Sequence, residues 1–366
     1  MTNNSKSFSC PTPINQYDKI LLAHGGGGTL MHNLIESLFK KYFDNDILKQ
    51  GNDSAIIDYD KNTSRYAFTT DSYVVHPIFF PGGNIGALAV YGTINDLSVS
   101  GAKPEFISVS FIIEEGFPIS DLEEIVISIK NAADNTGVKI VTGDTKVIES
   151  SYKLQDNQNK LNNINANIYI NTSGIGIVYE DMRISPLNCK PGDAIILSGS
   201  IAEHGIAVIS AREKIEFETE IKSDVNPVNR IVEEIEKSGY GRYIKVMRDP
   251  TRGGLTSTLN EIAKAGKIGI KIYEDKIPIL PEILGACELF GFDPMYVANE
   301  GKLIAVVAGN YADKILKVIK SLPEGNKAEI IGEITDTNIQ KVVMRTVLGN
   351  NRVLDMISGE QLPRIC

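Results

Sequence analysis

The sequence has little of what builds a metal, redox or nucleic-acid site by composition alone. Among 366 residues there are four cysteines, Cys10, Cys189, Cys287 and Cys366, and four histidines. No two cysteines lie close in sequence, so there is no CxxC pair, and a zinc or iron–sulfur site has no support. Basic residues are in deficit: the formal charge is -9 and the pI about 5.2. Nothing here builds the basic surface a phosphate backbone needs, and nucleic acid is not expected as a partner. No run approaches the roughly 18 apolar residues of a spanning helix, so no membrane partner is expected. The opening MTNNSKSFSCPTP has no apolar core of the signal-peptide kind. A cytoplasmic protein is expected, in a compartment where structural disulfides are rare. No tandem repeat is evident, beyond a faint echo between GNDSAII and PGDAIIL.

What is present is material for two domains of ordinary size, with 42% hydrophobic residues to fill their cores. Residues 1–50 read as an arm containing four glycines and then a helical stripe through Leu30, Met31, Leu34, Ile35 and Leu38. From 51 to 182 the pattern is α+β. The strands are AIIDYD, RYAFTTDSYVV, EFISVSFIIEE, VKIVTGDTKV and IYINTSGIGIV; the helices are IGALAVYGTINDLSVSG and ISDLEEIVISIKNAADNTG, the latter with Ser120 as its expected cap. The Asn/Gln-rich stretch 150–167 reads as a surface loop. A second α+β unit covers 183–343, and 344–366 reads as a hairpin around Gly349-Asn350-Asn351 followed by an aperiodic tail ending in Cys366.

The aspartates carry the first chemical signal. Asp53 in GNDSAII, Asp71 in FTTDSYV, Asp96 in INDLSVS, Asp144 in TGDTKV and Asp249 in MRDPTRGG each sit at the edge of an apolar run. A carboxylate within a strand pattern is costly unless something compensates it. A hard cation does so with oxygen ligands. Each aspartate alone is as well explained as a turn or cap residue; together, with no His or Cys cluster, they favour a magnesium–nucleotide site. The run Gly25, Gly26, Gly27 and Gly28 before a helix offers free N–H groups to phosphate, but it equally reads as a hinge, and it matches neither the P-loop nor the Rossmann fingerprint.

Lys146 lies two positions after Asp144, so on a strand both point to one side. It is either a phosphate or proton-handling lysine or an exposed strand end. Glu300 in YVANEGKLIAV is either a base or a turn residue. His24 and His204 have no matching ligand nearby and read as structural. Cys366 stands on a segment that, from Ser358, would reach roughly 25–30 Å when extended at about 3.3 Å per residue. That suits a swinging arm, although a frayed end is the ordinary explanation of such a segment.

Taken together, the stretches HGGGGTLMHNLI, TTDSYVVHPIFFPGGNIGALAVYGTINDLSVSGAKPEF, FIIEEGFPI, VTGDTKV, INTSGIG, SGSIAEHGIAVISARE, MRDPTRGGLTSTLNEIA, DPMYVANEGKL and PRIC span nearly the whole chain. The sequence resembles the HypE family of hydrogenase-maturation proteins, within the PurM-like ATP-using superfamily. The resemblance implies a two-domain α+β PurM-like fold. Its N-terminal domain forms a β-barrel across a homodimer, its C-terminal domain is an α/β sandwich, and its tail is flexible.

It also implies an ATP-dependent carbamoyl dehydratase. The family receives a carbamoyl group on the sulfur of the final cysteine, here Cys366, from HypF. It dehydrates that group to a thiocyanate with ATP and passes cyanide through HypC–HypD to the iron of [NiFe]-hydrogenase. Carried over by motif, Lys146 and Glu300 handle protons. Asp53, Asp71, Asp96 and Asp249 hold Mg2+, and Gly25 to Gly28, Asp53, Asp71, Asp96, Asp144 and Asn171 surround ATP. Asn84 in PGGNIG departs from the family's aspartate, and the stretch 155–167 is longer and more polar than the family's. A related PurM-like synthetase, or a nucleotide-gated carrier without dehydratase activity of its own, are the alternatives.

Overall fold

The computed structural model describes residues 26, 28–39, 42, 45–47, 49, 53–58, 65–149, 166–356, 362, 365 and 366. Gly25, Gly27, Cys10, His24, most of the N-terminal arm and most of the Asn-rich stretch lie outside the described residues.

The first domain is built on a five-stranded sheet. Its strands are β1 (Ala55–Asp58), β2 (Arg65–Tyr73), β5 (Ala102–Glu114), β6 (Lys139–Ile148) and β7 (Ile168–Val178), in the order β1-β2-β7-β5-β6. All neighbours are antiparallel except β5 and β6. Two-residue strands β3 (Phe79–Phe80) and β4 (Gly83–Asn84) form a small hairpin beside it. The period-two pattern on β7 is followed closely: Ile168, Ile170, Thr172, Gly174, Gly176 and Val178 are buried, the residues between them less so.

The buried face is covered by α2 (Ile85–Val99) and α3 (Ile119–Thr136). Helix α2 is buried nearly all round, from Ile85 to Val99, because sheet, α3 and second-domain elements enclose it. Asn84 explains its own place here: its side chain accepts hydrogen bonds from the N–H groups of Gly86 (2.9 Å) and Ala87 (3.2 Å) as the N-cap of α2. Aspartate serves that role equally well, so the departure at this position leaves the helix start intact. Ser120, expected as the cap of α3, lies inside its first turn with its hydroxyl on Asp121; the cap position is Pro118, whose ring offers no hydrogen-bond acceptor.

The second domain is a seven-stranded mixed sheet of order β14-β13-β10-β12-β8-β11-β9. Its strands are β8 (Ala194–Leu197), β9 (Ile244–Arg248), β10 (Gly269–Tyr273), β11 (Ile304–Val307), β12 (Glu329–Thr335), β13 (Val342–Arg345) and β14 (Asn351–Leu354). Helix α6 (Gly254–Gly266) packs on one face with Ile195 and Leu197 of β8. Helices α5 (Asn229–Lys237) and α8 (Ala312–Lys320) pack on the other with Ile196. The hairpin expected after residue 343 exists, but the boundary drawn there is corrected. It cuts β13, which pairs in parallel with β10 and makes the hairpin part of this sheet.

A third core joins the halves. Helices α4 (Glu203–Glu213) and α7 (Pro281–Phe290) pack with residues of the first sheet, α2 and α3, and with Leu362, Ile365 and Cys366 of the tail. No helix among the described residues is long and apolar enough to cross a membrane.

Candidate active site

The strand ends and loops of both domains meet at one cleft of about 200 Å³. Asp71 comes from β2, Asp96 from α2, Asp53 from the segment before β1, and Asp249 with Arg252 from the loop after β9. Glu261 comes from α6, Glu300 from the loop before β11, and Cys366 from the tail. Asp53, Asp71, Asp96, Asp249, Glu300 and Cys366 therefore converge, although they are scattered over more than 300 positions of sequence.

Local packing explains how each is held. Thr69 donates to Asp96 Oδ2 (2.7 Å), and Tyr73 donates to Asp71 Oδ2 (3.3 Å). Gly92 is required there, since a Cβ would collide with the Tyr73 hydroxyl. Arg248 bridges Asp53 (2.5 Å) and Glu261 (3.3 Å). Glu300 is fixed by its backbone: its N–H donates to Asp224 Oδ1 (3.2 Å), and its carbonyl accepts from Asn95 Nδ2 (3.1 Å). The adjacent Asn299 donates to the Pro250 carbonyl (2.8 Å), tying this loop to the Asp249 loop. The Glu300 side chain is thus presented by a rigid frame, with its Oε1 buried and unpartnered.

The electrostatics are those of a site short of positive charge. Six acidic side chains and two arginines line the cleft. Burial, then Asp71, Asp249 and Asp53, push the Asp96 carboxyl well up. Burial, with Asp53 next, pushes Asp249 up to about 8. Burial also raises Asp53 against the opposing pull of Arg248, raises Asp71 against Arg252, and pushes Glu300 well up with Asp249 and Asp224 adding to it. Burial works against charge on Arg248, yet Asp53, Glu261, Asp249 and Asp96 together hold its pKa above the ordinary value. Burial pushes the Cys366 thiol up to about 12, despite Arg252 beside it. Such a thiol is protonated at neutral pH and a poor nucleophile where it sits.

These carboxylates fit a hard divalent cation by donor chemistry and by their shared excess of negative charge. They line the cleft without closing into a preassembled shell: among the described residues no three His, Cys, Asp or Glu side chains converge tightly enough to hold a metal ion. A linkage test follows. For these carboxyls the folded pKa lies above the unfolded one, so between about 4 and the value near 8 for Asp249 the folded state binds more protons, and stability falls as pH rises. In chelator, the melting temperature is expected to rise on acidifying from about pH 8 to about pH 6, and Mg2+ to raise it more at the higher pH. A larger Mg2+ gain at the lower pH contradicts this charge assignment.

Two expectations separate from the cleft. Asp144 and Lys146 lie on the other face of the sheet. Asp71 is opposite Thr172, which is buried under α2, whereas Asp144 is opposite Ser110, itself opposite Asn171, on the outward face. There Lys146 donates to Asp144 (2.7 Å), whose carboxyl it holds below the usual range, and both are exposed. Asn171 donates to Ser72 Oγ (3.1 Å), and Ser72 reaches the cleft rim. Within one chain, then, Lys146 does not meet Cys366. Gly26 and Gly28 precede α1 (Thr29–Leu34), whose Met31 touches the cleft; Gly28 is its cap residue.

Residues missed at the sequence level are Arg248, Arg252, Tyr73, Glu261, Asn95 and Asp224. The two arginines flank Asp249 in MRDPTRGG, so the motif itself carried their signal. The tail end is docked: Leu362, Ile365 and Cys366 are buried.

Family models match both halves: residues 51–178 match the N-terminal domain of the AIR synthase related proteins, and residues 190–345 their C-terminal domain. The chain is 48% identical over 348 residues to the carbamoyl dehydratase HypE of Rhizobium leguminosarum bv. viciae, covering 95% of each chain. It is similar to HypE in a crystal structure of a HypE–HypF complex, with TM-score 0.79 and 47% identity over 88% of this chain and 99% of that one. It is likewise similar to the hydrogenase maturation protein HypE in complex with ATP, with TM-score 0.76 and 42% identity over 95% and 100% of the two chains.

Proposed function

The chain belongs to the carbamoyl dehydratase HypE family, and from that premise we propose that it dehydrates an S-carbamoyl group on its own Cys366 to a thiocyanate, using ATP. In this reading the product supplies the cyanide ligand for the iron of a [NiFe]-hydrogenase. The observation that carries the reading is the placement of Cys366, buried in an acid-lined cleft beside Glu300 and Arg252. Its thiol, pushed up to about 12, suits a sulfur already loaded elsewhere better than one that must attack in place.

The chemistry divides as follows. The carbamoyl oxygen attacks the γ-phosphorus of ATP, ADP leaves, and one N–H proton is given up. The C–O bond to the new phosphate then breaks as nitrogen forms the triple bond and its second proton leaves. Thiocyanate, ADP and phosphate result, the oxygen of the lost water residing in the phosphate. Glu300 is the proton acceptor of this reading: it lines the same cleft as the sulfur, and burial raises its basicity well above that of an ordinary carboxylate. Arg252 holds the S–C–O unit in place by its charge. Asp53, Asp71, Asp96 and Asp249 would hold Mg2+, which when bound neutralises the phosphates.

Lys146, Asp144 and Asn171 enter this reading through a second copy of the chain. The outward face of the first sheet exposes Phe68, Phe106, Ile112, Ile175 and Ile177 around them. An apolar face of this kind is expected to be covered. Packing two such sheets into a homodimeric barrel covers it and brings Lys146 toward a nucleotide at the rim near Ser72. HypF as carbamoyl donor, HypC–HypD as cyanide acceptor and a cytoplasmic setting complete the proposal.

The test uses protein S-carbamoylated on Cys366 and incubated with Mg-ATP. Loss of one water by intact mass, with ADP and phosphate released, is expected. An unchanged mass assigns the chain the role of a carrier.

A further inference from the structure

We propose that His204 is the positioning residue that latches the tail in the cleft, aiming Cys366 through the backbone of its neighbour. The proposal rests on the reading that Cys366 bears the reacting group, but its test does not require that chemistry.

The tail's last two residues are held by main-chain contacts at two points. Val74, just after β2, donates its N–H to the Cys366 carbonyl (3.2 Å). His204 Nε2 lies 2.7 Å from the Ile365 carbonyl oxygen, which only accepts. Nε2 therefore carries the proton, and in the neutral ring Nδ1 accepts from the Ser223 hydroxyl at 2.8 Å. Ser223 Oγ also accepts the Val225 N–H (3.1 Å), which leaves its own proton for the ring. The tautomer is thus set by its surroundings.

The imidazole is braced as well as oriented. It is fully buried, and Phe80 meets it edge to face with centroids 5.4 Å apart. Ser223 is pinned in turn by the β3–β4 hairpin: its N–H donates to the Pro81 carbonyl (2.8 Å), and it lies against Gly82, where a Cβ would come within 2.8 Å of its backbone. Next to Ser223, Asp224 accepts the Glu300 N–H. One short segment, Ser223–Asp224, therefore sets both the sulfur, through His204, and the carboxylate that faces it. Both nitrogens of this buried ring are partnered, as buried polar atoms must be, and one of the two partners is the main chain of the tail itself.

The test is the alkylation rate of each cysteine in the full chain, read by mass spectrometry with iodoacetamide. Cys287 is the internal control, because it is buried in the same core as the tail. In His204→Phe, which keeps a ring but not the hydrogen bond, Cys366 is expected to alkylate about tenfold faster. Cys287 should keep its rate. His204→Gln, whose amide can donate to Ile365, is expected to restore most of the protection. An unchanged Cys366 rate in folded His204→Phe overturns the latch. So does equal acceleration of Cys366 and Cys287, which assigns His204 to general packing. Failure of dehydration with the alkylation pattern intact counts against the dehydratase reading alone.

Discussion

Glu300→Gln is expected to slow single-turnover dehydration of the S-carbamoylated chain by roughly 10²–10⁴-fold, the usual contribution of a positioned acid–base group. The substitution is nearly isosteric, and the frame that presents residue 300 uses only its backbone, through Asp224 and Asn95. The site should therefore keep its shape. The wild-type Oε1 is buried without a partner in a cleft already rich in carboxyls, so replacing an acid with a neutral amide should leave the melting temperature equal or higher. ATP affinity should change little. Loss of activity through misfolding would lower the melting temperature, and loss through nucleotide binding would appear in a titration. A variant that dehydrates within a few-fold of the unsubstituted rate removes Glu300 from the mechanism.

Arg248→Met is the largest expected effect on stability. Arg248 is almost wholly buried and faces Asp53 and Glu261, with Asp249 and Asp96 near enough to raise its pKa. Methionine replaces much of the side-chain volume but none of the charge. Asp53, mostly buried, and Glu261, over a third exposed, are then left without their counterion; breaking a buried pair costs about 3–5 kcal/mol, and the Asp53 side carries most of that here because water screens Glu261. Urea unfolding in chelator measures it. Adding Asp53→Asn should recover part of the loss, because the two residues interact directly. A loss below about 1 kcal/mol is the value of an exposed pair and contradicts the buried one described.

Much of this site could be read along the chain, and the reasons it was incomplete are physical. Asp71 and Asp96 are set in strand and helix patterns, so the elements that carry them were legible in the sequence. That Asp144 and Lys146 share a side also followed from their spacing. Which side they share did not. It depends on the register of four strands, in which Asp71 aligns with Thr172 but Asp144 aligns with Ser110 and Asn171. His204 reads as structural for a similar reason: its partner Ile365 is 161 positions away. Ser120 was a reasonable cap by residue type, but the chain turns helical one position before it, after Pro118. The family resemblance anticipated the two-domain fold, and the matched family models span both halves. It did not anticipate that the β13–β14 hairpin extends the second sheet.

In the proposed reading, the docked tail also bears on how Cys366 is loaded. Leu362 and Ile365 are part of the core between the two domains that also takes in α4 and α7. Returning them to water forfeits about 1.5–3 kcal/mol each. The extended form that a loading enzyme must capture is then roughly a hundredth or less of the population, and its apparent affinity is reduced by the same factor. A partner that receives the tail in an apolar groove of its own restores that term and escapes the penalty. In that reading, the core that shelters the sulfur during dehydration also selects which proteins can reach it beforehand.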